Sequence, residues 1–197
     1  MLLYDSGVSG NCYKVRLLLS HLGLDYERRE LDVVDRSNRQ EVLGDLNPGL
    51  RVPTLVLDDG RALGESGAIL NYLAEGTEYI PESLYDRAKM LQWMFFEQYS
   101  HEPYVAVPRF WLTKSIDVDA DTLAERQRVG YLAFDAMESH LAGHDYLVPG
   151  RYTLADIALY AYTHVAHEGG FDMSGYPAIG AWVQRVASQP GHVAIDA

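Results

Sequence analysis

The chain opens with short apolar runs separated by polar turns and closes with long stretches whose apolar residues return every three to four positions. Leu2-Leu3-Tyr4 reads as a strand. Cys12, Val15, Leu18, Leu19 and Leu22 share one helical face, which predicts a helix over about residues 12–22, ended by Gly23. Residues 26–33 predict a second strand whose charges, among them Glu27, Arg28, Arg29 and Glu30, suit a sheet edge. Strand, helix and strand with a short connection make a βαβ unit with parallel strands. A weak helical segment over about 37–45 ends at Asn47-Pro48-Gly49. Short runs on either side of Asp58-Asp59-Gly60 form a β-hairpin signal, with Pro53 directly before the first run, where a missing N–H is tolerated. Gly64-Glu65-Ser66-Gly67 then leads into a helix over 68–73, with Ser66 at or near its start. The expected order is βαβ, a helix, then ββα.

Residues 76–81 break the pattern, and beyond them no strand signal recurs. Helices are expected over about 84–100, 120–141, from Thr153 onward, and 176–188. Pro103 and Pro108 predict a kink or break near 100–108. Thr153 and Asp156 have capping-box spacing, with Asp in place of Glu or Gln. The expected division is an α/β domain over 1–76, a linker over 77–84 and an all-helical domain over 85–197.

Composition narrows the classes of function. With 197 residues, 48% apolar and 22% charged, the chain is long enough for one good core or two small ones. A net charge of −12 argues against a nucleic-acid surface and against adhesion to an anionic membrane. One cysteine precludes an internal disulfide and matches a reducing compartment. No basic leader precedes the first strand, and no apolar run approaches the roughly 20 residues that span a bilayer. The expectation is a soluble, cytoplasmic protein. The seven histidines show no metal-ligand spacing, so no metal is expected.

Candidate chemistry starts at the loop Ser6-Gly7-Val8-Ser9-Gly10-Asn11-Cys12. A strand, a small-residue loop and a helix start gather backbone N–H groups and a helix dipole around one point, which suits an anion. Ser6, Ser9 and Asn11 can add hydrogen bonds. Read alone, the loop equally describes an ordinary helix cap by Ser9 or Asn11.

Ser9-Gly10-Asn11-Cys12 at one helix start, Arg51-Val52-Pro53 before a strand, Glu65-Ser66 at another helix start and Thr153/Asp156 downstream occur in that order. Together they resemble the cytosolic glutathione transferases, over essentially the whole chain. The resemblance implies a thioredoxin-like βαβ-α-ββα domain followed by a helical one, a homodimer, and glutathione as co-substrate. It implies a cis bond at Val52-Pro53, with the Val52 backbone pairing the cysteinyl residue of glutathione as an added strand would. Glu65 and Ser66 would hold the γ-glutamyl end, and Arg51 or Arg39 the glycyl carboxylate. Ser9 matches the catalytic position of serine- and cysteine-type classes and would donate to the thiolate, while Asn11 occupies a place that also contacts sulfur in some bacterial classes. Cys12 sits where a resolving thiol lies in Cys-x-x-Cys relatives, but lacks its partner and reads as a packing residue. Tyr4 and Ser6 have weaker claims. Tyr99, His101, Tyr104, Phe110 and Trp111 cluster around the prolines and could form a wall for a hydrophobic electrophile, or simply core. The expected reaction is conjugation of glutathione to an electrophile. Its rivals are glutathione-dependent disulfide or peroxide reduction and a binding module without turnover.

Overall fold

Alternation along Leu2-Leu3-Tyr4 places Leu3 and Tyr4 on opposite faces of the first strand, and the first sheet is built around it. The computed structural model describes residues 1–197. Strand β1 (Leu2–Asp5) pairs in parallel with β2 (Glu27–Glu30) and antiparallel with β3 (Thr54–Val56), which pairs antiparallel with β4 (Ala62–Leu63). The sheet order is β2-β1-β3-β4, so the charged β2 is an edge, as its sequence requires. Helices α1 (Gly10–His21) and α3 (Ser66–Leu73) pack together over one face, where Leu3, Val15, Leu19, Leu55 and Ile69 are buried. The other face holds Tyr4, Leu31 and Leu43, the last from the short helix α2 (Arg39–Leu43). Tyr4 therefore belongs to the core opposite α1. Its hydroxyl contacts Arg29, 3.4 Å away.

The helices beyond are α4 (Leu84–Phe96), α5 (Glu102–Thr113), α6 (Ala120–Leu141), α7 (Leu154–Thr163) and α8 (Pro177–Ala187). Where the sequence predicts a kink or break near residues 100–108, the chain does not break: a π-helical segment, Glu97–His101, joins α4 to α5. Pro103 lies in the first turn of α5, directly after the π-helical segment, and Pro108 is accommodated inside the helix. Phe134 and Phe171 meet edge-to-face at 5.3 Å in the core of this part. The capping box at α7 forms as expected: Thr153 and Asp156 satisfy each other's backbone N–H groups.

Two units result, Met1–Thr77 with Pro190–Ala197, and Glu78–Gln189. The division expected at 85–197 thus needs correction at its end, because the last eight residues pack on the first unit. Tyr13 donates to the Val193 carbonyl at 2.7 Å and Arg16 to that of Ile195, so buried donors on α1 hold the tail. No helix is long and apolar enough to cross a membrane.

Candidate active site

The loop between β1 and α1 is fixed from beneath by a buried charge network. Asp5, fully buried at the end of β1, accepts from Arg16 Nη1 at 2.8 Å on both oxygens, and Arg28 Nε also contacts it. Arg16 also donates to the Ser6 and Gly7 carbonyls, each at 3.3 Å, and Gly7 N–H donates to Glu30 at 2.8 Å. Loop carbonyls are thereby turned inward, toward Arg16. Ser6 is buried with them and so makes no surface for a ligand.

Ser9 is the N-cap of α1, and its Oγ accepts from Cys12 N–H at 3.3 Å. Accepting there leaves the hydroxyl hydrogen as the group that can donate. The first-turn N–H groups of Gly10 and Asn11 are among those that a helix leaves without intrahelical partners. Cys12 is fully buried, and burial together with the neighbouring Asp5 carboxylate pushes its thiol far above the usual thiol range. It is a packing residue. Asn11, half-buried, has its Oδ1 2.7 Å from Lys14 Nζ and 3.4 Å from Ser66 Oγ. The starts of α1 and α3 are thus side by side, and Ser66, buried at the first position of α3, joins them.

The segment before β3 completes this end of the sheet. Asn47 Nδ2 donates to Thr54 Oγ1 at 2.9 Å and to the Arg51 carbonyl at 3.1 Å, bracing the turn that carries the cis Val52-Pro53 bond. A Cβ on Gly64 would lie 2.8 Å from Asn47 Nδ2, so only glycine lets the lead-in to α3 approach this turn. Glu65 follows with φ +62°, a conformation that L residues rarely adopt, and its side chain is exposed. Arg51 is exposed. Arg39 is 3% exposed and donates Nη2 to the Asp32 carbonyl at 2.6 Å, while its buried Nε and Nη1 have no protein partner. Two buried donors without acceptors are costly unless a ligand supplies them.

In the second unit, Tyr104, Phe110 and Trp111 are half-buried on α5, and Tyr99 is 85% exposed on the π-helical segment. Arg126 lies over the Tyr104 ring at 5.4 Å. His101 differs from the expected wall: it is fully buried, 3.0 Å from Thr163 Oγ1 and edge-on to Phe134, and belongs to the core. No group of three or more His, Cys, Asp or Glu is placed to hold a metal ion. Sequence periodicity gave no sign of Lys14 and Arg16, both buried on a helix whose predicted apolar face excludes them. The signal available was that Asp5 stands eleven positions before Arg16 across a strand–loop–helix turn.

Comparison with known proteins agrees with this fold. Residues 3–78 match the glutathione S-transferase N-terminal domain family, and residues 90–190 the glutathione S-transferase C-terminal domain family. A crystal structure of a glutathione S-transferase from Pseudomonas fluorescens is 48% identical with a TM-score of 0.95, covering 98% of each chain. Glutathione S-transferase 3 of Zea mays is 30% identical over 95% of this chain and 89% of its own length. The disulfide-bond oxidoreductase YfcG of Escherichia coli is 26% identical over 91% of this chain and 87% of its own. Two domain matches in the order of the two folded parts, with whole-length likeness to named transferases, establish that this chain belongs to the glutathione S-transferase family.

Proposed function

We propose that the protein is a glutathione transferase that ionises the glutathione thiol at the start of α1 and delivers it to a hydrophobic electrophile. The contact between Ser66 and Asn11 carries this reading, because it brings two helix starts to one place. Ser66 and the first turn of α3 offer a hydroxyl and N–H groups to the γ-glutamyl carboxylate, and Glu65 accepts from the α-ammonium group. The Val52 backbone pairs with the cysteinyl residue. Arg39, with two buried donors lacking protein partners, receives the glycyl carboxylate in preference to the exposed Arg51.

Magnitudes explain why the thiolate needs both loop and side chain. A thiol of pKa about 8.5 is only a few per cent ionised at pH 7, and lowering it by about two units takes about 2.7 kcal/mol. A helix start supplies about 0.3–1 kcal/mol. A hydrogen bond to a charge supplies about 1.5–3 kcal/mol. Helix start and Ser9 hydroxyl together reach what neither reaches comfortably alone. Attack then proceeds from a bound, oriented thiolate. The electrophile's apolar body is assigned to Tyr104, Phe110, Trp111 and Tyr99. A homodimer in the cytoplasm accompanies this reading. It is supported by exposed apolar residues Leu84, Tyr85 and Phe95 on α4 and by the single, buried, reduced cysteine.

Turnover of glutathione with a model aryl halide tests the proposal. Ser9→Ala should lower kcat/KM about 10- to 100-fold, the loss of one hydrogen bond to a charge. An unchanged rate removes Ser9 from the mechanism. Likeness to the Escherichia coli oxidoreductase supports a second reading, disulfide reduction at the same site. A strong preference for a disulfide substrate over the aryl halide would establish that reading instead. Absence of glutathione binding in calorimetry at millimolar ligand would leave a binding module without turnover.

A further inference from the structure

Arg16 is 3% exposed, and its two terminal nitrogens serve three parts of the first unit. Nη1 donates to both Asp5 oxygens at 2.8 Å and to the Ser6 carbonyl at 3.3 Å. Nη2 donates to the Gly7 carbonyl at 3.3 Å and to the Ile195 carbonyl. The Ser6 carbonyl also accepts from Ser9 N–H at 3.0 Å, which closes the turn Ser6–Ser9. An unbroken series of contacts thus runs from Ile195 through Arg16 and Ser6 to Ser9. Arg28 makes a second link, from Asp5 to the Ala197 backbone oxygen at 2.9 Å, but its side chain is 33% exposed and water weakens that link.

Residues 190–197 are held by their backbone oxygens rather than by a core of their own. None of the eight is buried. Val193 and Ala197 border, with Arg16, Leu19 and Tyr26, a recess of about 340 Å³, so the segment lies beside α1 without packing closely on it. A segment with few buried apolar contacts opens locally at low cost. When this one opens, Nη2 loses an acceptor, and a buried guanidinium must be paired again by water. The same nitrogen holds Gly7, in the middle of the turn.

We infer that Arg16 is a positioning residue that makes residues 190–197 part of the glutathione site: with the segment docked, Arg16 fixes the backbone of the Ser6–Ser9 turn, and with it the residue that donates to the sulfur. Docking of the segment and binding of glutathione then favour each other by one and the same factor. This inference rests on the glutathione reading of the site.

NMR of the isotope-labelled native protein tests it without any substitution. Hydrogen exchange at Arg16 Nε, a buried atom, reports how often the segment opens. Saturating glutathione should slow that exchange about fivefold, the low end of ordinary coupling between sites. Exchange that bound glutathione leaves unchanged overturns the inference. Val193→Gly/Ile195→Gly, which loosens the segment within the full chain, should speed the exchange. If it does not, the segment does not cover Arg16 and the inference fails.

By calorimetry, the same double variant should bind glutathione about fivefold more weakly. Its bound thiol should titrate about 0.7 unit higher, the same factor; a purely structural role for the segment leaves that titration unmoved. Faster exchange combined with native affinity and native thiol titration overturns the inference. Arg16→Lys keeps a charge beside Asp5, but its single nitrogen cannot hold Asp5, the turn and the segment together. In that background the two glycines should cost less than about twofold in affinity, and an equal loss in both backgrounds overturns the inference. Each of these failures leaves the glutathione reading standing, whereas a native protein that binds no glutathione overturns both.

Discussion

Replacing Asp156 with alanine removes the acceptor on which three buried N–H groups converge. Its Oδ1 accepts from Leu147 N–H at 3.0 Å and from Trp182 Nε1 at 2.9 Å, and its Oδ2 accepts from Thr153 N–H at 2.9 Å. Asp156 is completely buried, as is Trp182, so water does not replace the lost partner. Each orphaned donor costs about 1–2 kcal/mol, for a total of roughly 3–6 kcal/mol. For a chain of this length that corresponds to a fall in Tm of about 10–20 °C. Asparagine keeps one oxygen but turns an NH2 toward the remaining donors, so Asp156→Asn should cost less, about 1–3 kcal/mol. The pH dependence has a definite sign. Burial outweighs the hydrogen bonds and pushes the carboxyl up to about 6, whereas an unfolded Asp titrates near 4. Between these values the folded chain holds a proton that the unfolded chain releases. The contribution of Asp156 to stability is therefore largest below about pH 4 and falls, by about 3 kcal/mol at most, as pH rises through 6. Thermal and urea denaturation followed by circular dichroism at pH 5 and 7.5 measures both effects, with Asp156→Asn as the variant that lacks the titration. A Tm for Asp156→Ala within 3 °C, give or take about one degree, of the native protein would refute the reasoning.

Cys12, whose thiol burial holds in the neutral form, should react with an aromatic disulfide reagent at less than about a tenth of the rate seen in denaturant, and Cys12→Ala should keep conjugation within about twofold. Rapid labelling of the folded protein would contradict that assignment. Glu65→Gly should relieve the positive φ and stabilise the fold by about 0.5–1 kcal/mol, while the lost carboxylate raises KM for glutathione roughly tenfold. Melting and steady-state kinetics on the same preparation check the pair of effects, and a lowered Tm with unchanged KM would show that Glu65 is kept for folding.

Legibility followed the range of the interactions. The helix start at Glu65-Ser66 and the Thr153/Asp156 box were readable because each is local: the signal and the structure it specifies lie within a few residues, whereas the cis Val52-Pro53 bond was legible only through the family resemblance. Helix α6 was readable because its periodicity is long. Strand β2 is shorter than its sequence suggests, four residues rather than eight, because pairing with the four residues of β1 sets its length. At the π-helical joint, Glu97–His101, the prolines predict a kink or break but not its form, since proline rules describe the local backbone and carry no sign that Glu97 and His101 are buried there. Docking of residues 190–197 on α1 had no sequence signature, for it depends on Tyr13 and Arg16 meeting carbonyls nearly 180 positions away. Lys14 was hidden for a related reason: a charged residue off the predicted apolar face is assigned to solvent until its partner is known.

The central claim is that the start of α1, with Ser9, makes glutathione a thiolate. Titrating the ultraviolet absorbance of the bound thiolate against pH tests it most directly, comparing the native protein with Ser9→Ala. The account predicts a bound thiol pKa about two units below the free value of about 8.5, returning most of the way in the variant. A bound thiol that titrates at the free value, or an equal depression in Ser9→Ala, would contradict it.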